Sequence, residues 1–286
     1  MRIAVCLKQV PDPATVEVDP LTAALDTRRM LYIAGPADTA ALELALRLAG
    51  PTGQVSALCV GPPAADAVLR MALAVGATEV RRLWVPPFLS LQAPAQTALL
   101  LAAGLQRATI PDLVLCGARS SDQGSGQVPA LLAEFLDWPV VCDVTQIAME
   151  GDRVRVQRRL DRGAREELEV RLPAVLAVEA NLARLRHASL PGLMRAERAS
   201  VPVSHVEDLG LEPADLAFPT ASVRAVTPPR PRTRPIFTPD STRPAHERIT
   251  QIITAGVTRK SGKVLEGPPA QMADAVVEFL RERGFV

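Results

Sequence analysis

Neither sign of charge dominates this chain of 286 residues, whose formal net charge is only +1. Without a strong basic or acidic balance, nothing points to nucleic acid or an anionic membrane as the main partner. No apolar run approaches the roughly 18 residues needed to span a bilayer, so an integral membrane protein is not expected. Met1-Arg2 runs straight into Ile3-Ala-Val-Cys-Leu7, too short for a signal h-region, and no cleavage pattern follows; a cytoplasmic location is expected. Paired cysteines are missing as well. Cys6, Cys59, Cys116 and Cys142 lie far apart with no Cys-x-x-Cys, which removes the usual signals for zinc or a thioredoxin-type centre. They read as small buried hydrophobes. His187, His205 and His246 stand near no ligand cluster, so no metal is expected. There is no G-x-G-x-x-G after the first strand, hence no signal for an ordinary Rossmann dinucleotide site. Nor is there a Ser/His/Asp order, a paired-carboxylate motif or an activated-cysteine context, so no independent catalytic residues are read.

What the chain does have is a regular alternation of apolar runs and helical patterns. Arg2–Leu7, Gln54–Val60, Glu79–Val85 and Asp112–Cys116 read as strands. Between them Asp38–Ala49, Ala64–Val75 and Leu91–Ala108 read as helices, the first capped by Asp38 after Pro36. Such alternation predicts βαβ units and a parallel sheet covered on both faces. Ligands of such sheets sit beyond the carboxyl ends of the strands. That rule nominates Cys6–Lys8, the segment Gly35–Asp38, Val60-Gly-Pro62 and the loop Gly117–Val128.

The last of these is the most informative. Asp112-Leu-Val-Leu-Cys-Gly117 is followed by Ala-Arg119-Ser120-Ser121-Asp122-Gln123-Gly124-Ser125-Gly126-Gln127, and a helix then opens at Val128-Pro129. A strand, a flexible loop and a helix N-terminus with unpaired N–H groups make an anion site. Gly117, Gly124 and Gly126 let the main chain approach a ligand. An ordinary polar turn would carry a similar composition, so this stretch alone leaves the two readings open.

Beyond the loop the pattern changes. Val140–Met149, Arg153–Leu160 and Glu167–Arg171 alternate, with turn signals at Glu150-Gly-Asp152 and Asp161-Arg-Gly163, and Ala174–Glu179 is a further strand: a small antiparallel extension. Asn181–Arg198 reads as an exposed, arginine-rich loop and short helix. From Val223 to Arg248 prolines alternate with arginines, which excludes a helix or inner strand and predicts an extended arm or linker. The helix Pro269–Arg283 closes the chain. The expected division is 1–200, an α/β domain with the extension, and 201–286, an arm and helix that dock on a partner.

In this order the landmarks resemble the β subunit of electron-transfer flavoproteins, on the side of the nitrogen-fixation-associated and electron-bifurcating branch. The resemblance rests on Ile3-Ala-Val-Cys-Leu-Lys-Gln-Val-Pro-Asp12, Gly35-Pro36 before Ala41-Leu-Glu-Leu-Ala-Leu-Arg-Leu48, Val60-Gly-Pro62, Leu69-Arg-Met-Ala-Leu-Ala-Val-Gly-Ala77, Leu136-Asp-Trp-Pro139, Leu172-Pro-Ala174 and Ala188-Ser-Leu-Pro-Gly-Leu-Met-Arg195. It covers about the first 200 residues, with a weaker echo in Gly262–Arg283.

The resemblance implies a parallel-sheet, adenine-nucleotide α-hydrolase-like (Rossmann-like) α/β fold working as half of a heterodimer with an α subunit. The redox FAD sits mainly on that α subunit, and the β subunit holds AMP or a second FAD. By position the nucleotide contacts fall at Cys6, Gly35, Pro36, Ala37, Asp38, Val60, Gly117, Arg119, Ser120, Ser121, Asp122, Gln123, Gly124, Ser125, Gly126, Gln127 and Val128. Asp122-Gln-Gly-Ser-Gly-Gln-Val128 departs from the common branch, and Pro13 stands where that branch has a flavin-touching aromatic residue. The choice between AMP and FAD stays open, with loop and tail leaning toward FAD. Leu190 and Pro191, rimmed by Arg184, Arg186, Arg195 and Arg198, match the loop that engages acyl-CoA or other flavin dehydrogenases. The implied role is an electron carrier rather than an enzyme with its own substrate. The alternatives are a subunit of an NADH-oxidising bifurcating complex, or a stand-alone adenine-nucleotide sensor or adenylating ligase on the same fold.

Overall fold

The computed structural model describes residues 1–19, 22–84, 93–218, 241–255 and 267–283. Its centre is a nine-stranded sheet. Five parallel strands follow the alternation in the sequence: β1 (Arg2–Leu7), β6 (Gln54–Val60), β7 (Glu79–Trp84), β8 (Leu113–Gly117) and β12 (Ala174–Val178). The extension, β9 (Val140–Glu150), β10 (Arg153–Arg159) and β11 (Arg165–Arg171), continues the same sheet, with β9 parallel to β12 and antiparallel to β10. A short strand, β13 (Val203–His205), completes the far edge, giving the order β11-β10-β9-β12-β8-β1-β6-β7-β13.

Each central strand is apolar on both faces because helices cover both. Ile3, Val5 and Leu7 of β1 and Leu113 and Leu115 of β8 share one core with Ala41, Leu42 and Ala45 of α1 (Pro36–Ala49) and Val68, Leu69 and Ala72 of α2 (Asp66–Val75). The alternate residues Ala4, Cys6, Val114 and Cys116 face the other core, with Ala98, Leu101 and Leu105 of α3 (Pro94–Arg107) and Leu132 and Leu136 of α4 (Val128–Leu136). This division by residue parity is the strand period of two expressed as two layers. Because β6 and β8 flank β1 on opposite sides, the strand order reverses between β1 and β8. In open α/β sheets that reversal opens a crevice at the carboxyl ends.

Several details differ from the sequence expectation. Asp38 does not cap α1: the cap position is Gly35, with Pro36 as the first helical residue, and Asp38 sits inside the first turn with its carboxylate turned into the sheet. Between β1 and α1 lie two small antiparallel ladders that periodicity did not signal, β2 (Gln9–Pro11) with β5 (Tyr32–Ala34) and β3 (Glu17–Val18) with β4 (Leu25–Asp26). Strands of two or three residues are too short to show alternation. The main unit also runs past residue 200, since β13 joins the sheet and Leu209 and Leu216 enter the core. The division falls between Met1–Pro228 and Pro229–Val286.

The short helix of the expected loop is α5 (Leu190–Arg198), started by Ser189, whose hydroxyl accepts from the Gly192 N–H at 3.2 Å. Of the Pro/Arg segment 223–248, residues up to 240 lie outside the described residues, as do 256–266. In the second unit an unexpected helix, α6 (Ala245–Ala255), overlaps the end of that segment, and α7 (Pro269–Glu282) matches the expected closing helix. Ile249, Ile252 and Ile253 of α6 and Val276, Val277 and Phe279 of α7 are exposed. Among the described residues no helix is long and apolar enough to cross a membrane, and no cluster of ligating side chains could hold a metal ion.

Candidate functional site

At the reversal point lies a cleft of about 250 Å³. Its floor is the ends of β1 and β8, through Cys6, Leu7, Lys8, Cys116 and Gly117. Asp38 of α1 and Val60 of β6 form one side. The loop from Ala118 to Gly126 and the start of α4 form another, and Ala93, Pro94, Thr97 and Leu101 at the start of α3 close the third.

Local chemistry fixes this shape. Asp38 is buried, and its two carboxylate oxygens accept from main-chain N–H groups at the ends of two different strands, Lys8 at 2.8 Å and Gly117 at 3.2 Å. It thus ties α1 to both lips of the crevice. Burial pushes its pKa up to about 7, against the two N–H donors and the Lys8 ammonium, which pull it down, while Asp122 adds to the rise. Gly117 is required by close approach: a Cβ there would collide with the Asp38 carboxylate and lie 2.8 Å from the Ala37 methyl.

The loop turns twice through the left-handed region, at Gly124 (φ 63°) and Gly126 (φ 64°), where glycine carries no steric cost. It is anchored by the Lys8–Asp122 ion pair at 2.7 Å and by the Gly124 N–H donating to Ser120 Oγ at 3.3 Å. Burial raises the Asp122 pKa, but hydrogen bonds from Lys8, Ser120 and the Gln123 N–H outweigh it and leave it lowered. No side chain caps α4, whose first residues are Val128 and Pro129. Its leading N–H groups therefore remain available beside Ser125 and Gly126.

Of the nominated residues, Cys6, Asp38, Val60, Gly117, Arg119, Ser120, Asp122, Gln123, Ser125, Gly126 and Val128 lie together on the cleft wall. Six nominated residues are not on it. Gly35 caps α1, Ala37 packs beneath Gly117, Ser121 is exposed in the loop, Gly124 turns it, Gln127 precedes α4, and Pro36 lines a separate open groove with Thr39, Asn181 and Arg184. The α3 residues Pro94, Thr97 and Leu101 were missed. The strand-exit rule applied after β7 leads to them, but the apolar helix pattern begins at Leu91 and hides that the helix starts at Pro94, on the cleft.

On the nominated partner surface, Leu190 is 70% exposed, and Leu193 and Met194 on the next turn are each 50% exposed. Arg186 differs from the other arginines of the loop. Its guanidinium holds the buried Glu43 carboxylate of α1 at 2.9 and 3.2 Å, and its N–H donates to the same group at 3.1 Å. Burial alone would raise Glu43, but Arg186 and Arg47 hold its pKa down at about 2.

A nine-stranded, mostly parallel sheet with helices on both faces and a crevice at its strand reversal defines an open α/β protein of Rossmann-like type. A family model for the electron transfer flavoprotein domain matches residues 23–209. The chain is 36% identical over 234 residues to the caffeyl-CoA reductase-Etf complex subunit CarD of Acetobacterium woodii, covering 80% of this chain and 88% of that protein. It is 35% identical over 243 residues to the electron transfer flavoprotein subunit beta of Thermoanaerobacterium thermosaccharolyticum, covering 83% and 92%. It is 32% identical to the human subunit beta over 234 residues, covering 80% and 90%. The chain belongs to the electron transfer flavoprotein family, with subunit beta as its counterpart.

Proposed function

We propose that the chain binds an adenine nucleotide, AMP or FAD, in the cleft between β1 and β8, as half of a heterodimer with an electron-transfer flavoprotein α subunit. The observation that carries this reading is the make-up of the cleft. Val60, Leu101, Val128 and Pro129 offer an apolar slot suited to a purine, while Ser120 and Ser125 line the same space beside the uncapped start of α4. Anions are favoured at such an N-terminus by orphan donors and the helix dipole. Gly126, in the left-handed region, brings main chain to the same wall. The flavin, when bound, supplies the redox chemistry, and this chain supplies position and electrostatics.

Electrons pass from a flavin dehydrogenase, docked on Leu190, Pro191 and the arginines of segment 181–198, to a downstream acceptor in the cytoplasm. The exposed Leu190–Leu193–Met194 turn, with Arg195 and Arg198 on the same helix, supports a docking role. The exposed apolar residues of α6 and α7 support docking of the C-terminal unit on the α subunit. A second reading, a subunit of an electron-bifurcating complex carrying FAD in this cleft, is favoured by the relative named as part of a caffeyl-CoA reductase-Etf complex.

Co-expression with the α subunit followed by extraction and quantitation of bound nucleotides tests both readings. One FAD and one AMP per heterodimer is the expected composition of the carrier, and two FAD that of the bifurcating form. A heterodimer without any nucleotide beyond a single α-bound FAD defeats the cleft assignment.

A further inference from the structure

Two thiols meet on the floor of the cleft. Cys6 and Cys116 are register partners on the adjacent parallel strands β1 and β8, and both belong to the same core layer. Side chains of register partners leave a sheet on the same face, with strands about 4.8 Å apart. The neighbouring Cys6 pushes the Cys116 thiol pKa up. Both residues also line the cleft, Cys6 at 7% and Cys116 at 3% exposure. The other cysteines are placed differently. Cys59 is fully buried in the opposite core, and Cys142 is half-buried on β9 away from the cleft lining.

We propose that Cys6 and Cys116 form a dithiol site that takes one trivalent organoarsenical from the cleft, a modification site separate from the nucleotide chemistry proposed above. The argument is chelation. A trivalent arsenical held by one thiol exchanges off readily; a second thiol fixed beside the first makes its capture intramolecular and raises the effective concentration to the millimolar range or beyond. The reaction is R–As=O with two S–H groups, giving R–As(S)₂ and water. Two S–H bonds break, two As–S bonds form, and the two protons leave with the oxygen, so arsenic keeps its oxidation state and no oxidant is needed.

Three features favour this ligand. Direct S–S closure requires sulfur atoms about 2.05 Å apart and Cβ atoms about 3.8 Å apart, closer than flat parallel register partners stand, whereas a bridging atom spans the gap. The neighbouring Cys6, and then burial, raise the Cys116 thiol pKa, which disfavours thiolate attack on disulfides by this sulfur. Finally Leu7, Val60, Leu101 and Pro129 surround the opening with apolar surface suited to an aryl substituent on the arsenic.

The test uses the purified full chain and phenylarsine oxide. After desalting, intact mass is expected to rise by one phenylarsenic per chain, to survive a monothiol wash and to be reversed by a dithiol. Cys6→Ala and Cys116→Ala each abolish the retained adduct, whereas Cys142→Ala keeps it. A wild-type readout covers the case of a misfolded variant: in the unfolded adduct Cys6 and Cys116 resist iodoacetamide while Cys59 and Cys142 react. No retained adduct on the wild type, or protection of any other cysteine pair, overturns the proposal. Pre-incubation with AMP or FAD is expected to slow labelling at least tenfold. Labelling at an unchanged rate in saturating nucleotide counts against the nucleotide reading and leaves the dithiol site standing.

Discussion

The N–H of Gly117 on β8 donates to Oδ1 of Asp38 on α1 at 3.2 Å, with no room between them for a Cβ. One side chain thereby sets the distance between a helix and the strand whose loop forms the candidate ligand wall. Gly117→Ala should push α1 away from the strand end, an overpacking cost of about 1–3 kcal/mol. Urea melts measure that loss as a lower midpoint with an unchanged slope. A variant as stable as the wild type would show that α1 is free to move.

The same carboxylate makes stability depend on pH. Its pKa is about 7 in the folded chain against 3.8 for an unperturbed aspartate. Between those values the folded state holds a proton that the unfolded state has lost, so raising the pH through this window removes stability. Asp38→Asn abolishes that dependence. It also replaces one acceptor by a donor against a main-chain N–H, with a fixed cost of about 1–3 kcal/mol. The check is the difference in unfolding free energy between wild type and variant at pH 4.5, 6 and 7.5. Wild type leads by most at the lowest pH, and the gap narrows as pH rises.

The sheet and its helices were legible because β1, β6, β8 and β12 are long enough, and apolar enough on both faces, to declare burial. The loop at 117–127 was legible from its glycines and serines. Asp38 was misread for a physical reason: an aspartate near a helix start is a cap in most contexts, and only the fold brings the ends of β1 and β8 within its reach. The Glu43–Arg186 pair was equally hidden, because its members stand 143 residues apart. Cys116 read as one buried hydrophobe among four, since nothing local announces that β1 and β8 become neighbours. Long-range partnership of single side chains is what an unaligned sequence does not encode locally.

Glu43 and Arg186 give a second pH signature of opposite sign. The Glu43 pKa is held at about 2, below its ordinary 4.5. This pair therefore stabilises the fold fully above pH 4.5, and the contribution fades as pH falls toward 2. Arg186→Gln leaves Glu43 with Arg47 alone and should cost about 1–3 kcal/mol at pH 7, less than loss of a wholly buried pair because the Arg186 side chain is 44% exposed. The deficit should shrink below pH 4, as seen in acid titrations of unfolding. Weakened partner binding with stability untouched would instead make Arg186 a surface contact.

Lys8 and Asp122 provide the most direct reading of the cleft itself. Their ion pair, at 2.7 Å, spans from β1 to the candidate phosphate loop, and the two side chains are 39% and 24% exposed. An incoming phosphate would compete with Asp122 for the same ammonium and be repelled by its charge. Asp122→Asn should therefore tighten AMP binding, and Lys8→Gln should weaken it, each by about three- to tenfold at low salt. Both effects should shrink as ionic strength rises, because partly exposed charges are screened within about 10 Å at 0.1 M salt. Calorimetric titration of the heterodimer, stripped of endogenous nucleotide, measures both variants at two salt concentrations. If Asp122→Asn weakens binding as much as Lys8→Gln does, Asp122 serves the ligand by holding the loop in shape, and the competition between carboxylate and phosphate is wrong.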